Sequence, residues 1–349
     1  MTVVGARPQF VKAAAVSRAL ARTGGFDEIM VHTGQHYDDN MSSIFFEEME
    51  IPRPRYNLGI GGGGHGAMTG RQLEQLERVI LEQHPDLVLV YGDTNSTLAG
   101  ALAAAKLHVP IAHVEAGLRS YNRRMPEEIN RVLTDHLSDI LFAPTETARQ
   151  NLRLEGITHE GIHVVGDVMY DATIFYRERA REPSWFPDLS IEREAFVLCT
   201  IHRAENVDDP SRLQRILSGL RDADLPVLLP IHPRTRARIA ESMIEVGANI
   251  VLCDPVGYLE MTWLEANCAV VATDSGGVQK EAYFHGKHCV TLRDETEWVE
   301  LVSLGVNVLV GADSEKIRAA IVARAGKPTV PSVVYGRGHA AGKVAEVLL

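Results

Sequence analysis

Three carboxylates fall where short apolar segments end. Asp93 follows Leu87-Val88-Leu89-Val90-Tyr91-Gly92, Glu115 follows residues 109–114, and Glu127 lies in Pro126-Glu127-Glu128 at an expected helix start. Neighbouring carboxylates can divide proton transfer, one accepting while another donates. An acid after a strand is commonly an N-cap, and one in a helix's first turn commonly answers the helix dipole. Three at successive ends point beyond capping to a reaction centre. Arg7 and Lys12 lie in Gly5-Ala6-Arg7-Pro8-Gln9-Phe10-Val11-Lys12, a strand-turn-helix entry whose proline opens the helix and whose N-terminus favours an anion. They offer charge to a phosphate or to the acids, against the plainer reading of two solvated cations.

A second group suits a phosphate-bearing ligand. In Thr273-Asp274-Ser275-Gly276-Gly277-Val278-Gln279-Lys280-Glu281 a strand ends in Ser275-Gly276-Gly277 directly before a helix. Such a start leaves backbone N–H groups open to a diphosphate. Glu281, one turn on, is placed to accept from ribose hydroxyls; the alternative is a glycine turn with an N-cap. His202 and His232 each follow an apolar strand run, which favours a shared site over two exposed loop histidines. Neither has a close Cys, His or Asp at ligand spacing, so no metal is expected. Gly59-Ile60-Gly61-Gly62-Gly63-Gly64 formally fits a dinucleotide fingerprint, but extended sequence precedes it and no helix is expected to start at once. It reads as a mobile loop near the cleft. The sequence has no GKS or GKT phosphate loop and no GxSxG serine.

Alternating elements must hold these residues. Strand-like runs at 2–4, 26–32, 87–91, 109–114, 140–143 and 162–165 alternate with helices at 10–22, 40–49, 127–137 and 146–155. Leu73, Leu76, Val79 and Ile80 add a further helix at 3.6 spacing. The pattern resumes with strands at 196–200, 226–230, 249–253, 268–273 and 288–292 and helices at 211–220, 235–245, 259–265 and 278–284. This alternation predicts an α/β fold of two Rossmann-like, doubly wound domains facing across a cleft, with ligands just beyond the strand C-termini. Domain one is expected over 1–167 plus a returning helix at about 336–349, and domain two over 168–335.

Composition narrows the partners. A net charge of −11 over 349 residues argues against nucleic acid or an anionic membrane as main partner, while leaving room for a small anion. Cys199, Cys253, Cys268 and Cys289 show no CxxC spacing and read as reduced core or near-core residues, which with the absence of a signal peptide suggests the cytoplasm. No apolar run approaches the roughly 20 residues of a membrane span. The very short first strand, Thr2-Val3-Val4, leads us to expect a few residues upstream.

GARPQFVK at 5–12, TGQH at 33–36, YGDTNSTLAG at 91–100, HVEAGLRS at 113–120, MPEEINR at 125–131, PTE at 144–146, GDV at 166–168, the His202 and His232 loops, TDSGGVQKEA at 273–282 and LRDETEW at 292–298 appear in one order. Together they resemble the non-hydrolysing UDP-N-acetylglucosamine 2-epimerases, nearly end to end. The resemblance implies a glycosyltransferase-B type fold, UDP between the domains, and a homodimer. It implies Asp93, Glu115 and Glu127 as catalytic acids, His202 beside the diphosphate, and Lys12 and Arg131 as basic groups near the reacting centre. It matches Arg7, His36, His232, Ser275, Gly276, Gly277, Glu281 and Arg293 to the UDP-sugar site. GARPQF departs from the commoner GTRPE form and, with TGQHYDDNM, is more similar to the subgroup acting on UDP-2,3-diacetamido-2,3-dideoxyglucuronate. A second UDP-sugar, used as activator by some bacterial members, stays an open partner.

The implied chemistry fits the residues. The hydrogen at sugar C2 is not beside a ketone, so its removal becomes feasible through expulsion of UDP from C1, giving a glycal. Protonation on the opposite face and re-addition of UDP complete the inversion, without a cofactor. This needs a base, an acid, and cations or backbone dipoles on the leaving diphosphate. A UDP-sugar glycosyltransferase of the same fold would use the Ser275 to Glu281 end but has little use for three acids. A silent UDP-sugar-binding protein would have lost Asp93, Glu115 or Glu127, and all three are present.

Overall fold

Short apolar strands separated by helices give two parallel sheets. The computed structural model describes residues 1–35, 50–51, 53–158, 160–326 and 333–349, so the helix expected at 40–49 lies outside the described residues. The chain divides into two compact units, Met1–Ile174 with Val333–Leu349, and Phe175–Ser332.

Among the described residues, the first unit contains β1 (Thr2–Val4), β2 (Met30–His32), β3 (Tyr56–Asn57), β4 (Val88–Tyr91), β5 (Ile111–Val114), β6 (Ile140–Ala143) and β7 (Ile162–Val164). They pair in parallel in the order β3-β2-β1-β4-β5-β6-β7. The chain winds outward from β1, then returns to place β4 on its other side, so the switch point lies between β1 and β4. β1, β4 and β5 are buried throughout, which is why they read as unbroken apolar runs. The helices are α1 (Arg7–Thr23), α2 (His65–Gln83), α3 (Asn95–Lys106), α4 (Pro126–Leu137), α5 (Glu146–Leu154) and α6 (Val168–Arg177). The Thr94 side chain caps α3 and that of Thr145 caps α5, while Pro126 opens α4.

One expectation needs correction. A helix does start at once after the glycine run: α2 begins at His65, with Gly64 as its cap and β3 before the run. Gly59, Gly62 and Gly63 supply positive φ for this strand-to-helix connection, and a two-residue β3 is too short to show as an apolar run. Past Gly166-Asp167 the chain continues as helix α6. Asp171 on α6 accepts hydrogen bonds from Ala340 N at 3.0 Å and Ala341 N at 2.9 Å, so it caps the last described helix, Ala340–Leu348, which packs on α1.

The second unit contains β8 (Val197–Thr200), β9 (Val227–Pro230), β10 (Ile250–Cys253), β11 (Val270–Thr273), β12 (Cys289–Thr291) and β13 (Asn307–Leu309) in the parallel order β10-β9-β8-β11-β12-β13. Its switch point lies between β8 and β11. Alternate residues face opposite layers: Val197, Val227, Leu229, Val270, Ala272 and Val290 join one apolar cluster, while Leu198, Leu228, Val271 and Cys289 join another. Helices α7 (Ala204–Val207), α8 (Pro210–Arg221), α9 (Pro233–Glu241), α10 (Tyr258–Asn267), α11 (Gly276–Phe284), α12 (Val299–Ser303) and α13 (Ser314–Arg324) surround this sheet. The last described helix of the chain is α14. Cys199, Cys268 and Cys289 are buried free thiols and Cys253 is half-buried.

The tightest approach is at the end of β1. A methyl on Gly5 would lie 2.1 Å from Thr33 Oγ1 and 2.2 Å from Ser96 Oγ, two hydroxyls themselves 2.7 Å apart. Gly5→Ala is therefore expected to cost about 1–3 kcal/mol, read as a lower midpoint in urea unfolding of the first unit.

Candidate functional site

In the first unit the chemistry gathers beyond β1, β4 and β5. Tyr91 pairs with Val114, so the turns carrying Asp93 and Glu115 leave adjacent strands at one level. Gly92 adopts φ +62°, and a side chain there would lie 3.0 Å from Lys12 Nζ and 3.6 Å from Glu115 Oε1. Glu115 is itself left-handed at φ +74°, a conformation costly for a non-glycine residue and kept where surrounding structure enforces it. Lys12, reaching from α1, holds Glu115 Oε1 at 2.5 Å, with both side chains nearly buried.

Helix α4 fixes Asp93. Arg131 forms an ion pair with the Asp93 carboxylate and directs Nη1 to Glu128 Oε2 at 2.8 Å, so one guanidinium joins two acids. Asn130 donates to the Asp93 carbonyl at 2.9 Å. Of the two consecutive glutamates, Glu128 turns inward and accepts from Ser120 N at 2.9 Å and Tyr121 N at 2.8 Å; Glu127 is half-buried. Gln9 ties α1 to the same turn: its amide nitrogen donates to the Tyr91 carbonyl at 2.9 Å, and its oxygen accepts from Gly5 N and Ala6 N. Of Arg7 the backbone alone is described, as the first residue of α1, and His36 lies outside the described residues.

In the second unit, β8 and β11 place the His202 loop beside the start of α11. Thr200 and Thr273 pair across the sheet, and Asp274 follows directly. Its fully buried carboxylate accepts from His202 N and Arg203 N at 3.1 and 3.0 Å and from Asn206 Nδ2 at 3.1 Å. It also sits 3.0 Å from His202 Nδ1, which leaves Nε2 on the half-exposed side of the ring. Burial alone would raise the Asp274 carboxyl, but the bond and charge of His202, with Asn206 and Arg203 N–H, hold it below the usual range.

Ser275 caps α11, and Gly276 and Gly277 are its first residues. A methyl on Gly277 would lie 3.9 Å from Glu281 Oε2 and from Ser275 Oγ, so the Glu281 carboxylate folds back toward the helix start. The Tyr258 hydroxyl donates to Glu281 Oε1 at 3.1 Å, and burial pushes that phenol well above its ordinary pKa. Arg293 is 1% exposed and directs Nη1 to Glu297 Oε2 at 2.9 Å; Glu297 Oε1 lies 2.5 Å from where a Gly276 methyl would be. His232 is exposed and caps α9 by accepting from Arg234 N at 3.2 Å.

The structure thus brings Lys12, Asp93, Glu115 and Arg131 together in one unit. In the other it brings His202 to Ser275, through Asp274, with Glu281 close to Gly277. Sequence reasoning passes over Gln9, Glu128, Asn130, Tyr258 and Asp274 as site residues. Asp274 was within reach, since it is an acid at a strand end like Asp93.

Ion-paired acids at one switch point and a Ser-Gly-Gly helix start at another suit an α/β enzyme that moves protons on a phosphate-bearing ligand. The profile of the UDP-N-acetylglucosamine 2-epimerase family matches residues 18–349, and the chain belongs to that family. A relative from Pseudomonas aeruginosa, UDP-2,3-diacetamido-2,3-dideoxy-D-glucuronate 2-epimerase, is 54% identical, covering 100% of this chain and 98% of its own. The UDP-N-acetylglucosamine 2-epimerase of Methanocaldococcus jannaschii is 45% identical over 99% of this chain and 97% of its own. The crystal structure of that enzyme with UDP-GlcNAc and UDP matches this fold with a TM-score of 0.91, at 44% identity, covering 99% and 98% of the two chains.

Asp274 gives a stability signature with a defined sign. Its carboxyl is depressed in the folded state, so its stabilisation is present above about pH 4 and lost as pH falls further. Asp274→Asn should lower stability at pH 7 by about 3 kcal/mol. Denaturation at pH 7 and pH 3 should show the gap to the unsubstituted protein narrowing in acid.

Proposed function

We propose that this nucleotide-sugar 2-epimerase inverts C2 of a UDP-linked 2-acetamido sugar, interconverting UDP-N-acetylglucosamine and UDP-N-acetylmannosamine for cell-surface polysaccharide precursors. The observation that carries the reading is the pairing of Glu115 with Lys12 and of Asp93 with Arg131 at adjacent strand ends. A carboxylate takes the C2 proton while the C1–oxygen bond breaks and its electrons leave with UDP, giving the glycal. A protonated carboxyl then delivers a proton to the other face of C2, and a UDP oxygen re-forms the bond to C1. Asp93, Glu115 and Glu127 share the two proton transfers. His202, Arg7, His232, Arg293 and the α11 start serve the diphosphate, and Glu281 the ribose. His36 belongs to the same substrate set.

A second reading of the sugar rests on the Pseudomonas aeruginosa relative, which is 54% identical against 45% for the Methanocaldococcus jannaschii enzyme. It makes the substrate UDP-2,3-diacetamido-2,3-dideoxyglucuronate, in line with the GARPQF form of the first motif. A cytoplasmic homodimer completes the proposal. Among the described residues no helix is long and apolar enough to cross a membrane.

Incubation of each donor with the protein in heavy water, followed by NMR at C2, tests the reading. Deuterium at C2 with an inverted product, and no added cofactor, is the expected result; the donor that exchanges faster names the sugar. Silence on both donors would sink the epimerase reading. Asp93→Asn and Glu115→Gln should each cut turnover about 100-fold or more while leaving UDP affinity nearly unchanged by calorimetry. Near-normal turnover by both would remove the acids from the mechanism.

A further inference from the structure

Behind the two acid-bearing turns lies a pair of side chains that the mechanism above does not use. His113 on β5 and Asp135 on α4 are both fully buried. His113 Nε2 lies 2.7 Å from the carbonyl oxygen of Gly92, and Nδ1 lies 2.7 Å from Asp135 Oδ1. A carbonyl only accepts, and this carboxylate already accepts from others, so both ring nitrogens act as donors. Asp135 Oδ2 accepts from Gly117 N at 3.1 Å and from Arg119 Nη1 at 2.7 Å. Arg119 is anchored in turn by a two-pronged bond to Glu155, 2.7 Å on each arm.

The connectivity is specific. Gly92 is the residue before Asp93, and Gly117 is two residues after Glu115. One His–Asp pair therefore grips the turn of the first acid by its carbonyl and the turn of the second by its N–H. Both turns are held in left-handed geometry, with φ of +62° at Gly92, +74° at Glu115 and +82° at Gly117. Backbone in such conformations persists when its surroundings over-determine it.

We propose that His113 and Asp135 form a clamp that sets the separation of the Asp93 and Glu115 carboxylates, making them positioning residues for proton transfer at C2. This rests on the epimerase reading. The clamp works through hydrogen-bond geometry, so the two partners differ in what they tolerate. Asp135→Asn keeps every bond: the amide oxygen accepts from Gly117 and Arg119, and its nitrogen donates to His113 Nδ1 while Nε2–H stays on Gly92. His113→Leu frees the Gly92 turn and cuts its link to the Asp135 that still holds Gly117.

The test compares C2 exchange in heavy water and UDP affinity for the unsubstituted protein, Asp135→Asn and His113→Leu. The expected result is an about 100-fold loss of kcat in His113→Leu with UDP affinity within about twofold, since misplacement by about an ångström costs that much. Asp135→Asn should stay within about tenfold of normal. If His113→Leu does not fold, His113→Gln, which keeps one donor, replaces it with the same split expected. The clamp is overturned if the His113 variant turns over normally, if its kcat and UDP affinity fall in parallel, or if Asp135→Asn is as impaired as the His113 variant. An unsubstituted protein silent on both donors would instead remove the epimerase reading, and the clamp's catalytic role with it.

Discussion

Ionised carboxylates gathered at neighbouring strand ends repel one another, and cations set between them offset that repulsion. At the carboxyl edge of the first sheet the acids Asp93, Glu115 and Glu128 meet two cations, Lys12 and Arg131. Arg131 serves two acids because its planar fork sets two nitrogens apart, Nη2 meeting Asp93 and Nη1 meeting Glu128. The 28% exposure of the Asp93 side chain lets water share its charge, whereas Glu115, 7% exposed, depends on Lys12. Removing one member of a buried pair typically costs about 3–5 kcal/mol, so the arrangement is held as a unit.

The second unit uses the same strand position differently. Asp93 stands two residues past the last paired residue of β4 and remains partly open; Asp274 stands one residue past β11 and is fully buried. That shift of one residue turns the acid inward. Asp274 becomes a hub for the His202 loop, gathering two backbone N–H groups, an asparagine and the histidine ring. A loop without regular secondary structure at 201–203 is thereby given one conformation by a single carboxylate.

The α/β architecture was legible in the sequence because buried parallel strands leave continuous apolar runs and each run is followed by helical spacing. The convergence of Asp93 and Glu115 was legible for the same reason, since strand ends in one sheet share an edge. What escaped depends on rotation and depth. Glu127 and Glu128 differ by about 100° around α4, and which one faces inward is set by Arg131 and the Ser120 turn. Arg293 reads as a phosphate cation, yet its burial against Glu297 depends on a loop whose path has no periodicity. Gln9 looked like a mark of substrate subgroup. In this chain its amide is also structural, the nitrogen donating to the Tyr91 carbonyl while the oxygen accepts from Gly5 N and Ala6 N.

The first unit is not one continuous piece of chain. Its sheet, helices α1 to α5 and the start of α6 precede Phe175, but α14, which covers α1, arrives only after the whole of Phe175–Ser332. Val344 and Ala345 are fully buried there, and the helix start is fixed by Asp171. During synthesis the second unit has all its sequence in hand and can close first, while the acid-bearing unit waits with one flank of α1 uncovered. The unit that carries Asp93 and Glu115 is thus the last to be completed, and a chain broken off before Val333 would leave it without α14 while the second unit had its whole sequence.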